Sequence, residues 1–419
     1  MRCPCPLCWD MQTNSNSQRT HSLTAPASPE AWANARRKSA FNTPEFALAF
    51  KLATANRRRL FVTLAGASLA VALIIYQLFL IVGFISSATA MIRSVDADLW
   101  VVPHEAQAFD FSATMRRDHA YAIAGFDGVG DTAPVVTGFA GAVDWRGFPS
   151  VVSIAGLPVE RFRLVAGERD TFKEHAPQSD RFAFVDRTSI AQFAQRTAPF
   201  NLEISGQQVL ISHAMEGYPT FLGSPFLVTN ASNAQRWLRL PDDTCTGIAV
   251  WLRPGANVAT TVAALTQSFP ELTVLTSAQY ARRSARFWLT GTGAGGGLLL
   301  SAVMAFGIGL LIVSQNLYAS VLESLQQYTT LRAIGFEKRT LRNVVMAQSI
   351  AISLCAGMLG GVLAYMFAAI TKAFVLGWIA QPLYVPMAML VVCALIGAAA
   401  SVSAVRLIHR LEPAHALRQ

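Results

Sequence analysis

Four stretches of this chain are apolar over lengths that few soluble segments sustain. They run near Leu60–Ile85, Leu289–Val313, Val344–Ile370 and Pro386–Val405, and none contains Asp, Glu, Lys, Arg or His. About 20 helical residues cross the hydrocarbon core of a bilayer, so each stretch is long enough to be a membrane span. The whole chain, 419 residues, is 53% hydrophobic and only 14% charged, a balance too apolar for an ordinary soluble protein of this size. Carriers and pumps that couple to ions usually keep an ionisable group at membrane depth. Its absence from all four runs argues that this chain does not move ions by itself.

The net charge of +9 is a statement about orientation. Residues 1–59 carry nine Lys/Arg against three acids, whereas residues 86–288 carry seventeen bases against nineteen acids. The 314–343 loop has Arg332, Lys338, Arg339 and Arg342 against Glu323 and Glu337, and the tail has Arg406, Arg410 and Arg418 against Glu412. Short basic loops stay in the cytoplasm. The N-terminus, the 314–343 loop and the C-terminus are therefore expected inside, and 86–288 outside. Arg282, Arg283 and Arg286 sit on the outer side against this trend, which long translocated segments tolerate. With the basic charge so explained, a nucleic-acid partner is not called for.

These limits divide the chain. Residues 1–42 read as a disordered extension rich in Ser, Asn, Thr, Ala and Pro. Cys3, Cys5 and Cys8 lie in it without the paired spacing and downstream ligands of a zinc site, and Met11 is an alternative start. Residues 43–59 form a cytoplasmic interfacial helix, opened by Thr43-Pro44-Glu45. The spans are 60–85, 289–313, 344–370 and 386–405. The segment 86–288 is an outside α/β domain, 314–343 a cytoplasmic loop, 371–385 a short outer loop and 406–419 a cytoplasmic tail. The fold class is thus membrane α-helical with four transmembrane helices and an α/β extracytoplasmic domain inserted between the first and second.

Within 86–288, strands are expected at Asp98–Val102, Arg181–Val185, Val209–Ser212, Thr246–Leu252 and Leu272–Leu275. A hairpin joins Pro134–Val143 to Ser150–Ala155 through Trp145-Arg146-Gly147. Helices are expected at Val258–Phe269 and at Ala278–Trp288, the latter continuing into the second span. The first helix is expected to project past Ile85 as a stalk, and Tyr76 and Gln77 to hydrogen-bond a neighbouring helix. Cys245 is the one cysteine of this domain, so the domain folds without an internal disulfide.

Catalytic patterns are missing from the sequence. There is no G-x-x-x-x-G-K-[ST] phosphate loop, no H-E-x-x-H and no G-x-S-x-G. His104, His119, His175 and His213 are scattered. Gly291-Thr-Gly293-Ala-Gly295-Gly296 spells G-x-G-x-x-G, but a dinucleotide fingerprint needs a strand before it and a soluble helix after it, and here a membrane span follows. Glycines four apart, Gly293 and Gly297 in the second span and Gly357 and Gly361 in the third, permit close helix packing in lipid. They fit a tight bundle or a homodimer.

In the 314–343 loop, Leu317, Val321, Leu325, Tyr328 and Leu331 fall at helical steps on one face. Gly335 follows as a helix-ending residue, and Lys338, Arg339 and Arg342 open a second helix. A short basic helix pair between two spans has no core of its own and needs a partner.

Thr329–Val345, TTLRAIGFEKRTLRNVV, resembles the signature cytoplasmic loop of FtsX-like and MacB-like ABC permeases. The tail Arg410–Arg418 is similar to the closing motif of that family, and span, outer domain, three spans is its topology. Asp96–Val102 and Gly125–Val129 resemble its DevC branch. The resemblance implies a homodimeric permease that holds no cofactor and is driven by a separate ABC ATPase carrying ATP and Mg. The permease would sit in the inner membrane and work with a periplasmic adaptor and a TolC-like outer-membrane channel. It places Arg332, Ala333 and Gly335 at the ATPase contact. Gln327 stands where an acid is frequent in the family, and Glu323, one turn earlier, is its substitute. The implied function is export of a lipid, glycolipid, peptide or drug. The alternatives are an FtsX-type regulator of a cell-wall hydrolase and a lipoprotein-release permease.

Overall fold

The computed structural model describes residues 57–158, 161, 181–218, 223–323, 330, 334–335, 337–374 and 377–410. The interfacial helix expected at 43–59 therefore lies almost wholly outside the described residues. The longest element is α1, Arg57–Ser94, 38 residues without a break. It contains no Gly-Pro or Pro step to stop it, and it runs past Ile85 into the domain.

The domain follows as β1 (Leu99–Pro103), β2 (Met115–Arg116), α2 (His119–Ala124), β3 (Val129–Val143), β4 (Pro149–Gly156), β5 (Phe182–Asp186), a 3-10 turn (Arg187–Phe193), β6 (Phe200–Ile204), β7 (Gln207–Met215), β8 (Phe226–Thr229), α3 (Ala231–Leu238), β9 (Thr244–Cys245), β10 (Gly247–Leu252), α4 (Val258–Ser268), β11 (Leu272–Thr276) and α5 (Ser277–Arg286). A π turn, Phe287–Gly291, leads to α6 (Gly293–Glu323), α7 (Lys338–Phe374) and α8 (Tyr384–Arg410).

The nine-stranded sheet has the order β11-β1-β10-β3-β4-β8-β5-β7-β6, with β3 also paired to β6. That extra pairing closes β3, β4, β8, β5, β7 and β6 into a barrel, while β11, β1 and β10 extend from β3 as an open sheet. The long strand β3 serves both: Val129–Val135 pairs with β10 and Val136–Val143 with β4. All of β1 is buried, because successive side chains enter different cores. Leu99 and Val101 pack in one core with Ile248 and Val250 of β10, whereas Trp100 and Val102 pack in another with Met91 and Ile92 from the top of α1 and with Val95 just past it.

Leu60–Ser94, Gly293–Asn316 and Arg339–Phe374 are long and apolar enough to cross a membrane, and the apolar stretch of α8, Tyr384–Ala399, is shorter. Tyr76 Oη donates to Thr371 Oγ1 at 3.2 Å, and Gln77 Nε2 to Ser301 Oγ at 2.5 Å, so each of these two side chains bonds to a neighbouring helix as expected. The expected continuous helix from Ala278 into the second span is not what forms. The backbone widens into the π turn and Thr292 is extended (φ −117°, ψ 150°). The cause is local: Thr292 is a helix cap, its Oγ1 accepting from Gly295 N at 3.2 Å, and the flanking glycines favour helix weakly.

Candidate functional site

The candidate site has two separate regions: the loop between α6 and α7, and, at the other end of these helices, the neck where they meet the domain. Gln327, Arg332 and Ala333 lie outside the described residues. Glu323 is the last residue of α6 and Lys338 the first of α7. Gly335 adopts φ +107°, backbone that a side chain resists, and this turn redirects the chain into α7. Ile334 N donates to Thr330 O at 3.1 Å, one helical turn before the bend. Ile334 is 72% exposed, and sequence reasoning passed over it because its neighbours carry the charge. Leu341, Val344 and Val345 are buried and anchor the start of α7.

The packing glycines divide. A Cβ on Gly357 would lie 2.9 Å from Leu390 Cδ2 and 3.2 Å from Cys393 Sγ, and one on Gly361 3.6 Å from Pro386 Cβ, so both stand where α7 meets α8. Gly293 and Gly297 meet nothing within 4 Å and face away from the bundle. Close approaches to α1 occur at Gly360, next to Gly361, and at Gly309. A Cβ on Gly360 would lie 2.8 Å from Ser68 O and 2.9 Å from Val71 Cβ of α1, and one on Gly309 2.6 Å from Ile74 Cδ1.

At the neck, Phe84 and Ala88 of α1, Ala108 of the β1–β2 connection and Trp288 of the π turn form a buried cluster, with Trp378 from the α7–α8 connection packed against it. Phe84 and Trp378 meet edge to face at 6.1 Å. Ser284 Oγ donates to Ala88 O at 3.3 Å, Trp100 Nε1 to Ser277 Oγ at 3.1 Å, and Arg283 to His104 O at 2.8 Å. Beside the cluster, Asp110 is buried, and its Oδ1 has no hydrogen-bond partner among the described residues. Burial pushes its carboxyl up to about 7, and the weaker influence of the Trp288 indole pulls the other way. Burial, reinforced by the Asp110 charge, also raises Tyr280 above its usual value.

The segments Asp96–Val102 and Gly125–Val129 perform local folding work. Asp98 Oδ2 accepts from Leu252 N at 2.8 Å, tying the end of α1 to β10. Gly128 takes φ +85° in the turn before β3. His104 bonds Thr273 Oγ1 and Pro270 O, and His213 lies against Phe184. No group of three or more His, Cys, Asp or Glu side chains is placed to hold a metal ion among the described residues.

Residues 60–268 match the model of the MacB-like periplasmic core domain, and residues 298–413 that of the FtsX-like permease C-terminal domain. The chain carries both domains in that order. Uncharacterized ABC transporter permeases of Mycobacterium bovis and Mycobacterium tuberculosis are 30% identical to it over 113 residues, 27% of this chain and 31% of theirs. The match thus spans about a third of the length of these curated relatives. Among solved structures, the periplasmic region of MacB from Actinobacillus actinomycetemcomitans is similar with a TM-score of 0.34 and 9% identity, over 44% of this chain and 91% of that one. The extracellular domain of the ABC-type transporter YknZ from Gram-positive bacteria gives 0.30 and 11%, over 43% and 98%.

Proposed function

We propose that this chain is the transmembrane subunit of an ABC exporter and acts as a lever for an ATPase carried on another polypeptide. The observation that carries the reading is the continuity of α1. Its lower part packs against α6 and α7, while Met91 and Ile92 at its top belong to the domain core. A displacement of the bundle therefore moves the domain without a flexible joint between them. The two domain matches and the permease relatives support the same reading.

In this proposal α8 is the fourth span, both termini and the Glu323–Lys338 loop face the cytoplasm, and the α/β domain lies on the opposite side of the inner membrane. The partner holds ATP and Mg. Glu323, Gln327, Arg332, Ala333, Gly335 and Lys338 form its docking surface, with exposed Ile334 as the apolar contact. A homodimer, a periplasmic adaptor and a TolC-like duct complete the tripartite version of the exporter.

The test is co-purification of the full chain with candidate ABC ATPases of the same organism, followed by ATPase and export measurements in proteoliposomes. Arg332→Glu and Gly335→Pro should insert normally, yet lose stimulated ATPase and export. Full activity in both variants, or nucleotide turnover by the purified chain alone, overturns the proposal.

A further inference from the structure

The strand register shows which end of the barrel meets the membrane helices. Asp186 ends β5, and its Oδ1 accepts from Thr188 N at 2.9 Å to start the 3-10 turn. Thr188 rests on the α7–α8 connection: a Cβ on Gly377 would lie 3.0 Å from Thr188 Cβ. Val185 pairs with Leu227 on β8, the neighbouring Phe226 pairs with Ser153 on β4, and Ser153 pairs with Phe139 on β3. Phe139 in turn lies 5.4 Å from Phe111, and Phe111 lies 5.8 Å from Phe287 and 5.5 Å from Trp288 at the head of α6. Two separate contacts, one on β5 and one on β3, thus hold this row of residues at the membrane end of the domain.

The β3–β4 hairpin does not stop at that row. Ala140–Val143 and Pro149–Val152 continue past it, in the direction in which β5 runs to its contact with Gly377. Four or five further residues per strand carry the Asp144–Phe148 turn roughly 15 Å beyond the row. Ala140 and Ala142 point inward, and the outward face continues through Val151. At the tip Trp145 is 67% and Phe148 63% exposed. The turn is stiff. Buried Asp144 accepts from Arg146 N at 2.9 Å and Phe148 N at 3.0 Å, and binds the Arg146 guanidinium at 2.8 Å. That guanidinium lies 5.1 Å over the Phe148 ring. Two aromatic side chains and one cation, held rigid at the membrane end, match the chemistry of a bilayer interface, where indole rings and arginines with their stems buried are favoured. Arg93, Arg282 and Arg286 are exposed near the neck, which gives the outer-side arginines of α5 the same phosphate-facing role.

We propose that the Asp144–Phe148 turn rests in the lipid headgroup layer on the domain's side of the membrane. Trp145 and Phe148 sit between headgroups, and Arg146 reaches their phosphates. The inference rests on the membrane reading of α1, α6 and α7, and not on the ATPase partner. The experiment uses the full chain in nanodiscs of phosphatidylethanolamine and phosphatidylglycerol. An environment-sensitive fluorophore is attached to Phe148→Cys in a background freed of native cysteines. Val303→Cys on α6 and Ala259→Cys on α4 serve as lipid and water references.

The Phe148→Cys label should be quenched by lipids carrying a nitroxide near the glycerol. It should be quenched by aqueous iodide several-fold less than the Ala259→Cys label. Iodide quenching equal to that of Ala259→Cys, or shielding from both quenchers by a second copy or another protein, overturns the proposal. Failure of lipid to quench Val303→Cys would overturn the membrane reading and the proposal together, so the two failures are told apart. As a second measurement with native cysteines retained, Trp145→Ala should lose part of the tryptophan quenching produced by brominated lipids; unchanged quenching also overturns it.

Discussion

Asp110→Asn isolates the electrostatic load at the neck. The carboxyl rises from 3.8 to about 7 because it is buried. In the unfolded chain it ionises near 4; in the native state it stays protonated until near pH 7. Between these values the native state binds the extra proton, so its stability falls as pH rises. Below pH 4 both states are protonated, and above about pH 7 both are ionised, with the full cost present. A difference of this size corresponds to ~4 kcal/mol, as an upper figure, because water penetration relieves part of it. Asn keeps the shape and cannot ionise. The variant should match the native protein only below about pH 4, exceed it by roughly 1–2 kcal/mol at pH 5 and by the full cost at pH 8, so that its advantage widens across that range. Thermal unfolding of both proteins in nanodiscs, scanned at one rate from pH 5 to 8, measures this. Parallel pH profiles, or an Asn variant weaker at pH 8, would refute the claim that a charge is being forced into the neck.

Three further outcomes are expected. Gly335→Ala should weaken the turn before α7 by about 1–2 kcal/mol through its positive φ, lowering stimulated ATPase less than Gly335→Pro does, as measured with the co-purified complex. Gly360→Leu should push α7 from α1 and cost ~1–3 kcal/mol by overpacking, read as a lower unfolding temperature. Burial pushes the Cys245 thiol up to about 11, so in the folded chain a maleimide at pH 7.5 should leave it unmodified until denaturant is added, as peptide mass spectrometry would show.

Long apolar runs and strong alternation were readable in the sequence; closure was not. The β3–β4 hairpin, β10, α4 and β11 stand within a few residues of their expected places, because each has a clear period and a turn signal at its end. β8, Phe226–Thr229, escaped because four buried residues have no period to show. β6, Phe200–Ile204, alternates, but it is short and follows Pro199. α3 escaped because its apolar content is low, although Asn230 accepts from Asn233 N at 2.7 Å as its cap. The barrel depends on Ala142 pairing with Ile204, a contact between distant strands that local pattern cannot announce. At the site, Gly335 was legible because only a turn explains a glycine between two helical patterns. Asp110 was not, since an acid in a polar-looking loop gives no sign that Trp288 will bury it.

The proposed lever has its input and output on different helices, and this locates the step that must transmit force. The Glu323–Lys338 loop is covalently joined to α6 and α7. The domain core takes in the top of α1, whereas the chain passes from the domain into α6 through the π turn and the extended Thr292. A push entering α6 would be partly absorbed at that break, as bending at a widened turn costs less than breaking a regular helix. Motion delivered to the domain must therefore cross laterally into α1. The close contacts are in place for this: Gly309 against Ile74, Gly360 against Ser68 and Val71, and the hydrogen bonds from Tyr76 and Gln77. They occupy the middle of α1, below Phe84. Glycine suits such a junction because backbone meets side chain with no compressible layer between them. From there α1 runs about 1.5 Å per residue into the core beside Trp100. On the proposed reading, the break in α6 and the continuity of α1 are two halves of one arrangement: the first releases the domain from the helix that is pushed, and the second ties it to the helix that is carried along.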